Sequence, residues 1–317
     1  MPSRRLEWAV AGVLAGWAAA RLAGADRLER AEPWTVPLLS FTPQVTAGAW
    51  ATTLLLRSPG PSAAAALASA ALTAAVAPRA LPSPQPAAAG PVLRVLTANL
   101  LVGRAEAAAV TDLVCRTEAD VLFVQELTDG AAARLDRAGL GDLLPHRLTH
   151  PVAVGPRGSG IYARYPLTRE SPFEQASAAQ IMAGLTLPSG QVVHLVCVHT
   201  PSPKPLWNQH AAARWNGELA ALPAPGQPPL ILAGDFNATL DHAQFRRLLQ
   251  RGHVDAASQA GNGLVPTWGP RAQRRPAVLA IDHILVDPQC AVLQTSAHRL
   301  SGSDHRALFA ELRLPAG

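Results

Sequence analysis

Lysine is almost missing from this 317-residue chain: Lys204 is the only one, and the remaining basic residues are arginine. Charged residues of both signs make up only 15% of the sequence. The net charge of +5 divides into +3 before Gly90 and +2 from Gly90 onward. No dense basic stripe is present, and Arg246-Arg247 and Arg274-Arg275 are isolated pairs. A sequence-independent DNA binder needs several clustered phosphate contacts, so this pattern argues against a nucleic-acid partner. Cysteine is equally sparse. Cys115, Cys197 and Cys290 are odd in number and lack metal spacing, which excludes a disulfide framework. Cys197 lies in an apolar run and reads as a small buried hydrophobe. No internal repeat is visible, and nothing in the sequence points to a protein partner.

What the chain has in quantity is apolar residues, 49% of the total. Three apolar stretches precede residue 80. Trp8–Ala20 follows Arg4 and Arg5, Trp34–Leu56 carries no charge, and Ala63–Ala77 is rich in alanine. The first alone would pass for a signal peptide. The second is long enough to cross a bilayer, and Pro37 and Pro43 are tolerable in a membrane helix. Together they predict a retained membrane anchor over residues 1–80, with three transmembrane helices. Arginines fall on both sides of such an anchor, so the positive-inside rule does not orient it. An odd number of crossings sets the rest of the chain opposite the N-terminus. That predicts a multi-pass protein of the cell membrane with an extracytoplasmic catalytic domain. Residues 81–91, with alternating proline, read as a semi-rigid extended linker.

Residues 92–317 read as a strand-rich α/β domain. Val92–Ala98, Val121–Val124, Gly160–Ala163, Ile181–Leu187, Val192–Val198, Leu230–Ala233, Ile281–Val286 and Leu308–Leu314 are expected strands. Glu106–Glu118, Asn208–Ala221 and Ala243–Arg251 are expected helices. Pro188-Ser189-Gly190 is a turn joining two strands in a hairpin.

The chemistry sits where these runs end. Gln125-Glu126, Val198-His199, Gly234-Asp235-Phe236-Asn237 and Ser303-Asp304-His305 each place polar groups beside a buried run. Charged groups there are costly unless paired or metal-bound. Glu126 is the leading ligand for a hard cation, which needs one or two carboxylates and keeps several waters. Asp304 is a second candidate contact. Asp235 and Asn237 point the same way on an extended segment. Asp235 suits deprotonation of a water, and Asn237 suits donation to phosphoryl oxygens. His199 and His305 suit a phosphate or its leaving group, and Asp282 could orient one imidazole. Asn99, ending the first strand, could hold Glu126 or a phosphate oxygen.

These motifs, with Thr97-Ala98-Asn99, Gly160-Ile161-Tyr162-Ala163-Arg164-Tyr165-Pro166 and Ile281-Asp282-His283, resemble in their order the endonuclease/exonuclease/phosphatase superfamily. The resemblance implies a four-layer α/β sandwich with two packed mixed β-sheets, here preceded by N-terminal transmembrane helices. It implies a metal-dependent phosphoric ester hydrolase using Mg²⁺ or Mn²⁺. Glu126 would bind the metal with Asn99 and Asp304, His199 and His305 would hold the phosphate, Asp235 and Asn237 would serve the attacking water and transition state, and Asp282 would orient His305. Arg164, Trp207 and Asn208 are the expected substrate contacts. Trp207 and Trp268 could contact a sugar, base or lipid, or pack on the sheet.

Two departures weaken a DNA-repair reading: Leu101 stands where abasic-site endonucleases usually carry an acid, and Leu127-Thr128 follow the Gln-Glu pair in place of a lysine. The layout resembles the membrane-anchored, VanJ-like bacterial branch, which is associated with glycopeptide resistance. That resemblance implies a cell-envelope phosphatase acting on a lipid pyrophosphate such as undecaprenyl pyrophosphate. An anchored or secreted nuclease and a sphingomyelinase-like phosphodiesterase are the alternatives.

Overall fold

The computed structural model describes residues 4–28, 32–170, 180–203, 210–270 and 276–317. The chain begins with helices α1 (Arg4–Ala23), α2 (Glu32–Leu39), α3 (Thr42–Leu55) and α4 (Pro59–Val76). It continues through β1 (Val92–Asn99), α5 (Ala107–Arg116), β2 (Val121–Gln125), α6 (Asp129–Arg137), α7 (Leu140–Leu143), β3 (His146–His150), β4 (Ser159–Ala163), β5 (Leu167–Arg169), β6 (Ile181–Thr186) and β7 (Val192–His199). Then come α8 (Ala211–Ala221), β8 (Leu230–Asp235), α9 (Ala243–Gln250), β9 (Val254–Asp255), α10 (Ala256–Gln259), β10 (Asp282–Val286), β11 (Ala291–Arg299) and β12 (Arg306–Arg313).

The strands form two six-stranded mixed sheets, ordered β11-β12-β1-β2-β4-β3 and β5-β6-β7-β8-β10-β9. Their inner faces share one core, in which Leu93, Val95, Val121 and Phe123 of the first sheet meet Leu195, Cys197, Ile231 and Ile284 of the second. Their outer faces are covered by helices. Leu113 and Val114 of α5 pack on β1 and β2, and Trp215 and Leu219 of α8 pack on β7 and β8. Strands buried on both faces read as continuous apolar runs, and that is how β2, β7 and β8 are written in the sequence. The result is the four-layer sandwich expected.

The N-terminal helices differ from the expectation at one place. Trp34–Leu56 is not one continuous helix: it breaks at Ser40-Phe41 into α2 and α3. Proline explains part of this, since Pro43 sits in the first turn of α3, where a missing N–H costs nothing. Among the described residues, two helical segments and not the expected three are long and apolar enough to cross a membrane, Arg4–Ala23 and Pro59–Ala80.

Side-chain pairs fix the directions of this bundle. Trp17 Nε1 donates to Thr42 Oγ1 at 3.1 Å, while Glu7 accepts from the backbone N–H groups of Arg57 and Ser58 at 3.2 and 2.9 Å. So α1 and α3 run antiparallel. Trp50 Nε1 donates to Thr73 Oγ1 at 2.9 Å and Thr53 Oγ1 lies 3.1 Å from Ser69 Oγ, so α3 and α4 also run antiparallel. The start of α1 and the catalytic domain therefore lie at opposite ends of the bundle.

The bundle is docked on the domain rather than hung from a free linker. Arg21, at the end of α1, donates to Asp241 Oδ1 at 2.6 Å. Arg79, past the end of α4, donates to both Asp241 oxygens at 2.8 and 2.6 Å. Asp26 accepts from the Ala243 N–H at 2.7 Å, at the start of α9. His242 Nε2 faces the Val36 carbonyl at 2.9 Å and Ser40 Oγ at 3.1 Å. Val36 itself is fully buried in the outer core of the second sheet, beside Trp215 and Phe236. Residues 81–91 also bind the domain, through Ser83 N–H to the Gln259 carbonyl and Val292 N–H to Gln85 Oε1.

Candidate active site

Strand register brings the polar strand ends together. In the first sheet Asn99 of β1 pairs with Gln125 of β2, the residue before Glu126. In the second, one rung carries His199 of β7, Asp235 of β8 and Asp282 of β10. His305 immediately precedes β12, which pairs antiparallel with β1, and so arrives at the same end. Parallel pairing of β1 with β2 and of β7 with β8 is what puts four strand C-termini side by side.

Local backbone geometry supports the site at a cost. Glu126 and Asn237 both adopt positive φ, as do Leu101 and Val102 in the facing loop. Side chains other than glycine rarely tolerate this conformation, and its clustering at functional sites is a recurrent pattern. The return is that the Val102 N–H reaches Glu126 Oε2 at 2.6 Å. Gly234 is required for a different reason: with φ +151, a Cβ there would lie 1.9 Å from the Val198 carbonyl oxygen of the neighbouring strand.

Asn99 bridges the two sheets. Its amide nitrogen lies 3.1 Å from Glu126 Oε1 and 3.1 Å from Asp235 Oδ2. Its oxygen accepts from the Leu101 N–H at 2.9 Å. The sequence reading has Asn99 hold Glu126 or a phosphate oxygen, and the resemblance makes it a metal contact; here its donor faces the Glu126 and Asp235 carboxylates. Asp235 Oδ1 accepts from the Asn237 N–H at 2.8 Å, and Asn237 Nδ2 donates to the Thr200 carbonyl at 3.0 Å. Asp282 takes His305 Nδ1 at 2.9 and 3.1 Å, leaving His305 Nε2 turned toward Asp235 Oδ2 at 3.7 Å and Asp304 Oδ1 at 3.9 Å. His199 Nε2 lies 3.9 Å from Glu126 Oε1 and 4.0 Å from Asp235 Oδ2.

The electrostatics separate these groups. Burial, reinforced by the charges of Asp282 and Glu126, pushes the Asp235 carboxyl up to about 7, although His305 opposes the shift. Burial also disfavours a charged His305, but Asp282 and Asp235 overcome it and raise the imidazole to about 10. His199 goes the other way. Burial lowers it despite Glu126, so it is neutral near pH 7. The site thus holds one imidazolium, one neutral imidazole and a carboxyl poised near neutrality.

The donor set fits a divalent metal. Asp304 Oδ2 accepts from Trp268 Nε1 at 3.0 Å, but its Oδ1 is buried with no hydrogen-bond partner among the described residues. A buried carboxylate oxygen without a donor is open to a cation or a water. Asp235, Asp282 and His305 also bring ligand-type atoms within 4.8 Å of one another. In that trio, however, Asp282 and His305 Nδ1 are already bound to each other.

Glu126, His199, Asp235, Asn237, Asp304 and His305 line a cavity of about 780 Å³. One part of its wall comes from the catalytic domain, including Leu101, Pro156, Arg157, Arg214, Trp268 and Ile281. Another comes from the bundle, through Val36, Pro37, Ser40 and Phe41. The guanidinium groups of Arg157 and Arg214 are paired with no carboxylate among the described residues. The sequence offered no signal for either, nor for α2 as a cavity wall. Trp268 lines the cavity and donates its Nε1 hydrogen to Asp304 Oδ2.

Arg164 is not at the site. Strand β4 runs antiparallel to β2, with Ser159 opposite Gln125 and Ala163 opposite Val121. Arg164 therefore leaves at the far end of the sheet, where its Nε donates to Asp120 at 3.0 Å. Trp207 and Asn208 lie outside the described residues.

Residues 96–305 match the family model described as the Endonuclease/Exonuclease/phosphatase family. No curated protein matches the chain in sequence. Several solved structures share the fold. An AP endonuclease from Archaeoglobus fulgidus aligns with a TM-score of 0.56 and 15% identity over 69% of this chain and 98% of that one. D. rerio TDP2 complexed with single strand DNA product aligns at 0.53 with 20% identity, covering 70% and 98%. An endonuclease/exonuclease/phosphatase from Beutenbergia cavernae DSM 12333 aligns at 0.52 with 18% identity, covering 71% and 72%.

Proposed function

The chain belongs to the endonuclease/exonuclease/phosphatase family, metal-dependent hydrolases of phosphoric esters, and from that premise we propose that it is a membrane-anchored, Mg²⁺-dependent phosphatase of a lipid-linked (pyro)phosphate. The observation that carries the reading is the distribution of exposed apolar side chains. Of the 18 large apolar side chains exposed among the described residues, 13 lie in residues 6–81. They include Trp8, Val13, Leu54, Leu55 and Leu67, on the bundle that is clamped to the catalytic domain. Soluble proteins rarely expose such contiguous apolar surface, and a bilayer would cover it. On this reading the alternating directions of α1, α3 and α4 would set the domain across the membrane from the N-terminus. A cytoplasmic N-terminus then gives an extracytoplasmic domain, where an envelope lipid such as undecaprenyl pyrophosphate is presented.

In this reading Glu126 and Asp304 would hold the cation, which would supply charge stabilisation at the phosphoryl oxygens. Asp235, poised near neutrality, takes the proton of the attacking water. His305 is charged and held by Asp282, so it binds a phosphoryl oxygen or gives its Nε2 proton to the leaving group. Asn237, whose N–H and Nδ2 reach Asp235 Oδ1 and Oδ2 at 2.8 and 3.4 Å, orients that carboxyl, and neutral His199 faces the same phosphoryl group. Asn99 keeps Glu126 and Asp235 at fixed separation. Arg157 and Arg214 suit a second anionic group, as a pyrophosphate has.

The test is hydrolysis by the full chain in lipid nanodiscs, with and without Mg²⁺, read as released phosphate, released phosphocholine or shortened DNA according to the substrate. The substrates are undecaprenyl pyrophosphate, sphingomyelin and double-stranded DNA, with Asp235→Ala as control. Release from the pyrophosphate alone, lost in the variant, supports the reading. Cleavage of DNA or sphingomyelin in its place overturns it in favour of an anchored phosphodiesterase.

A further inference from the structure

We propose that the α2–α3 corner is a hydrocarbon-binding subsite of the catalytic cavity, so that the N-terminal bundle takes part in recognising the substrate's apolar chain. The inference rests on the reading that a phosphoester with an apolar tail occupies this site. It adds which residues hold the tail.

Three observations lead to it. First, Val36, Pro37 and Phe41 line the same cavity as Asp235, His305 and Asp304, so phosphate chemistry and an apolar wall share one continuous space. Second, this wall is held rigidly. Val36 is buried in the second sheet's outer core, Ser40 faces His242 Nε2, and Gln44 Nε2 donates to the Val278 carbonyl at 2.6 Å. A mere tether would have no reason to reach into the rim of the active site. Third, the corner lies at the domain end of the bundle, where a bilayer surface would meet the sandwich. There Trp34, Leu38 and Phe41 are exposed by 73%, 52% and 41%. Exposed aromatics at that level suit the headgroup layer. A lipid phosphate could thus enter with its head on Asp235–His305 while its first methylenes lie along Pro37 and Phe41.

The break in Trp34–Leu56 acquires a purpose on this reading. A continuous helix would carry Phe41 away along the bundle axis. The turn at Ser40-Phe41 instead presents Phe41 beside the cavity. The occupant expected is a single alkyl or isoprenyl chain carrying a phosphate head, because the wall continues the phosphate site rather than forming a separate groove.

The experiment measures binding of alkylphosphonates of rising chain length, butyl to octyl, to the full chain in nanodiscs with Mg²⁺, by calorimetry against empty discs. Each methylene withdrawn from water strengthens binding by up to about 4-fold. The wild type is therefore expected to gain roughly 10- to 100-fold over the four added methylenes, the lower part of that range reflecting partial burial. Phe41→Asp should lose most of this chain-length dependence, and Phe41→Leu should restore it. Leu54→Ser, an exposed position on α3 outside the cavity, should retain the wild-type dependence. The same dependence in Phe41→Asp and wild type, or none in the wild type, overturns the proposal. Because the readout is binding of phosphonates and not turnover, it stands apart from the substrate assay. Hydrolysis of undecaprenyl pyrophosphate with a flat chain-length series would remove the subsite and leave the proposed function.

Discussion

Arg79 grips Asp241 through both carboxylate oxygens, at 2.8 and 2.6 Å, from 162 residues away in sequence. Arg21 completes the contact from the end of α1. Burial alone would raise the Asp241 carboxyl, but the guanidiniums of Arg79 and Arg21 outweigh it and hold it below the usual carboxylate range. One carboxylate thereby fastens both the outgoing and returning ends of the bundle to the start of α9. Asp241→Ala leaves two buried guanidiniums uncompensated, a change that costs on the order of 3–5 kcal/mol. The expected result is a lower unfolding midpoint and faster proteolysis between residues 81 and 91. Replacing all three residues by apolar ones of similar volume should recover much of the loss. Wild-type stability in Asp241→Ala would mean that the clamp does not hold the bundle.

Asp235 presents an exchange of stability for activity. Its carboxyl is raised to about 7, so the folded state favours the protonated form. A raised carboxyl destabilises the fold as pH climbs from the unfolded value near 4 toward 7, and the full penalty persists above that. In metal-free protein, Asp235→Asn should melt at the same temperature as wild type near pH 4 and several degrees higher at pH 8. Turnover should fall about 10²- to 10⁴-fold. Mg²⁺ should stabilise the wild type more than the variant. Equal melting curves at pH 8 would show that the site does not strain this carboxylate.

His253 makes the opposite contribution. Burial lowers it to about 4, partly offset by its 2.8 Å contact with the Pro223 carbonyl. A buried neutral histidine must be charged in the unfolded chain below pH 6.5. Stability is therefore complete above that pH and falls as pH drops toward 4, by as much as about 2–3 kcal/mol. His253→Gln should flatten this part of the curve when denaturant midpoints are compared between pH 7 and pH 4.5. An unchanged slope would assign the acid sensitivity to other groups.

Much of the site is legible in sequence because register does the assembly. Asn99, Glu126, His199, Asp235 and Asp282 each end or begin an apolar run, and strand pairing then aligns the ends. Arg164 shows the limit of such reasoning. It belongs to the same run of residues as Gly160, but β4 is antiparallel to β2, so the run enters at the site and leaves at the opposite end. Strand β11 was not anticipated, since Ala291–Arg299 mixes exposed and buried positions without clean alternation. The α2 wall had no signal at all. Val36 and Phe41 lie in a uniformly apolar stretch, and composition cannot distinguish a residue that faces lipid from one that lines a cavity. The Asp241 clamp is equally invisible, because its partners are separated by more than half the chain.

The Asp282–His305 pair offers the sharpest test of the catalytic geometry. Asp282 Oδ2 lies 2.9 Å from His305 Nδ1 and fixes the ring so that Nε2 faces the cavity. Burial works against the imidazolium, yet Asp282 and Asp235 raise it to about 10. The sign is that of a histidine gaining a carboxylate partner. Its stabilising contribution is complete below pH 6.5 and is lost as pH rises through 10. Wild-type activity should therefore show no alkaline limb from His305 below about pH 9. Asp282→Asn keeps an acceptor for Nδ1–H but removes the charge. Asp235 and Asp304 still face Nε2, so His305 should fall by some units without reaching the value of a buried, unpaired ring. Turnover should drop by roughly 10²-fold or more, and the alkaline limb should move toward neutrality. NMR titration of the His305 ring in both proteins provides the check. A ring that titrates at the same pH in wild type and Asp282→Asn would remove Asp282 from the charge balance and leave it only the task of orientation.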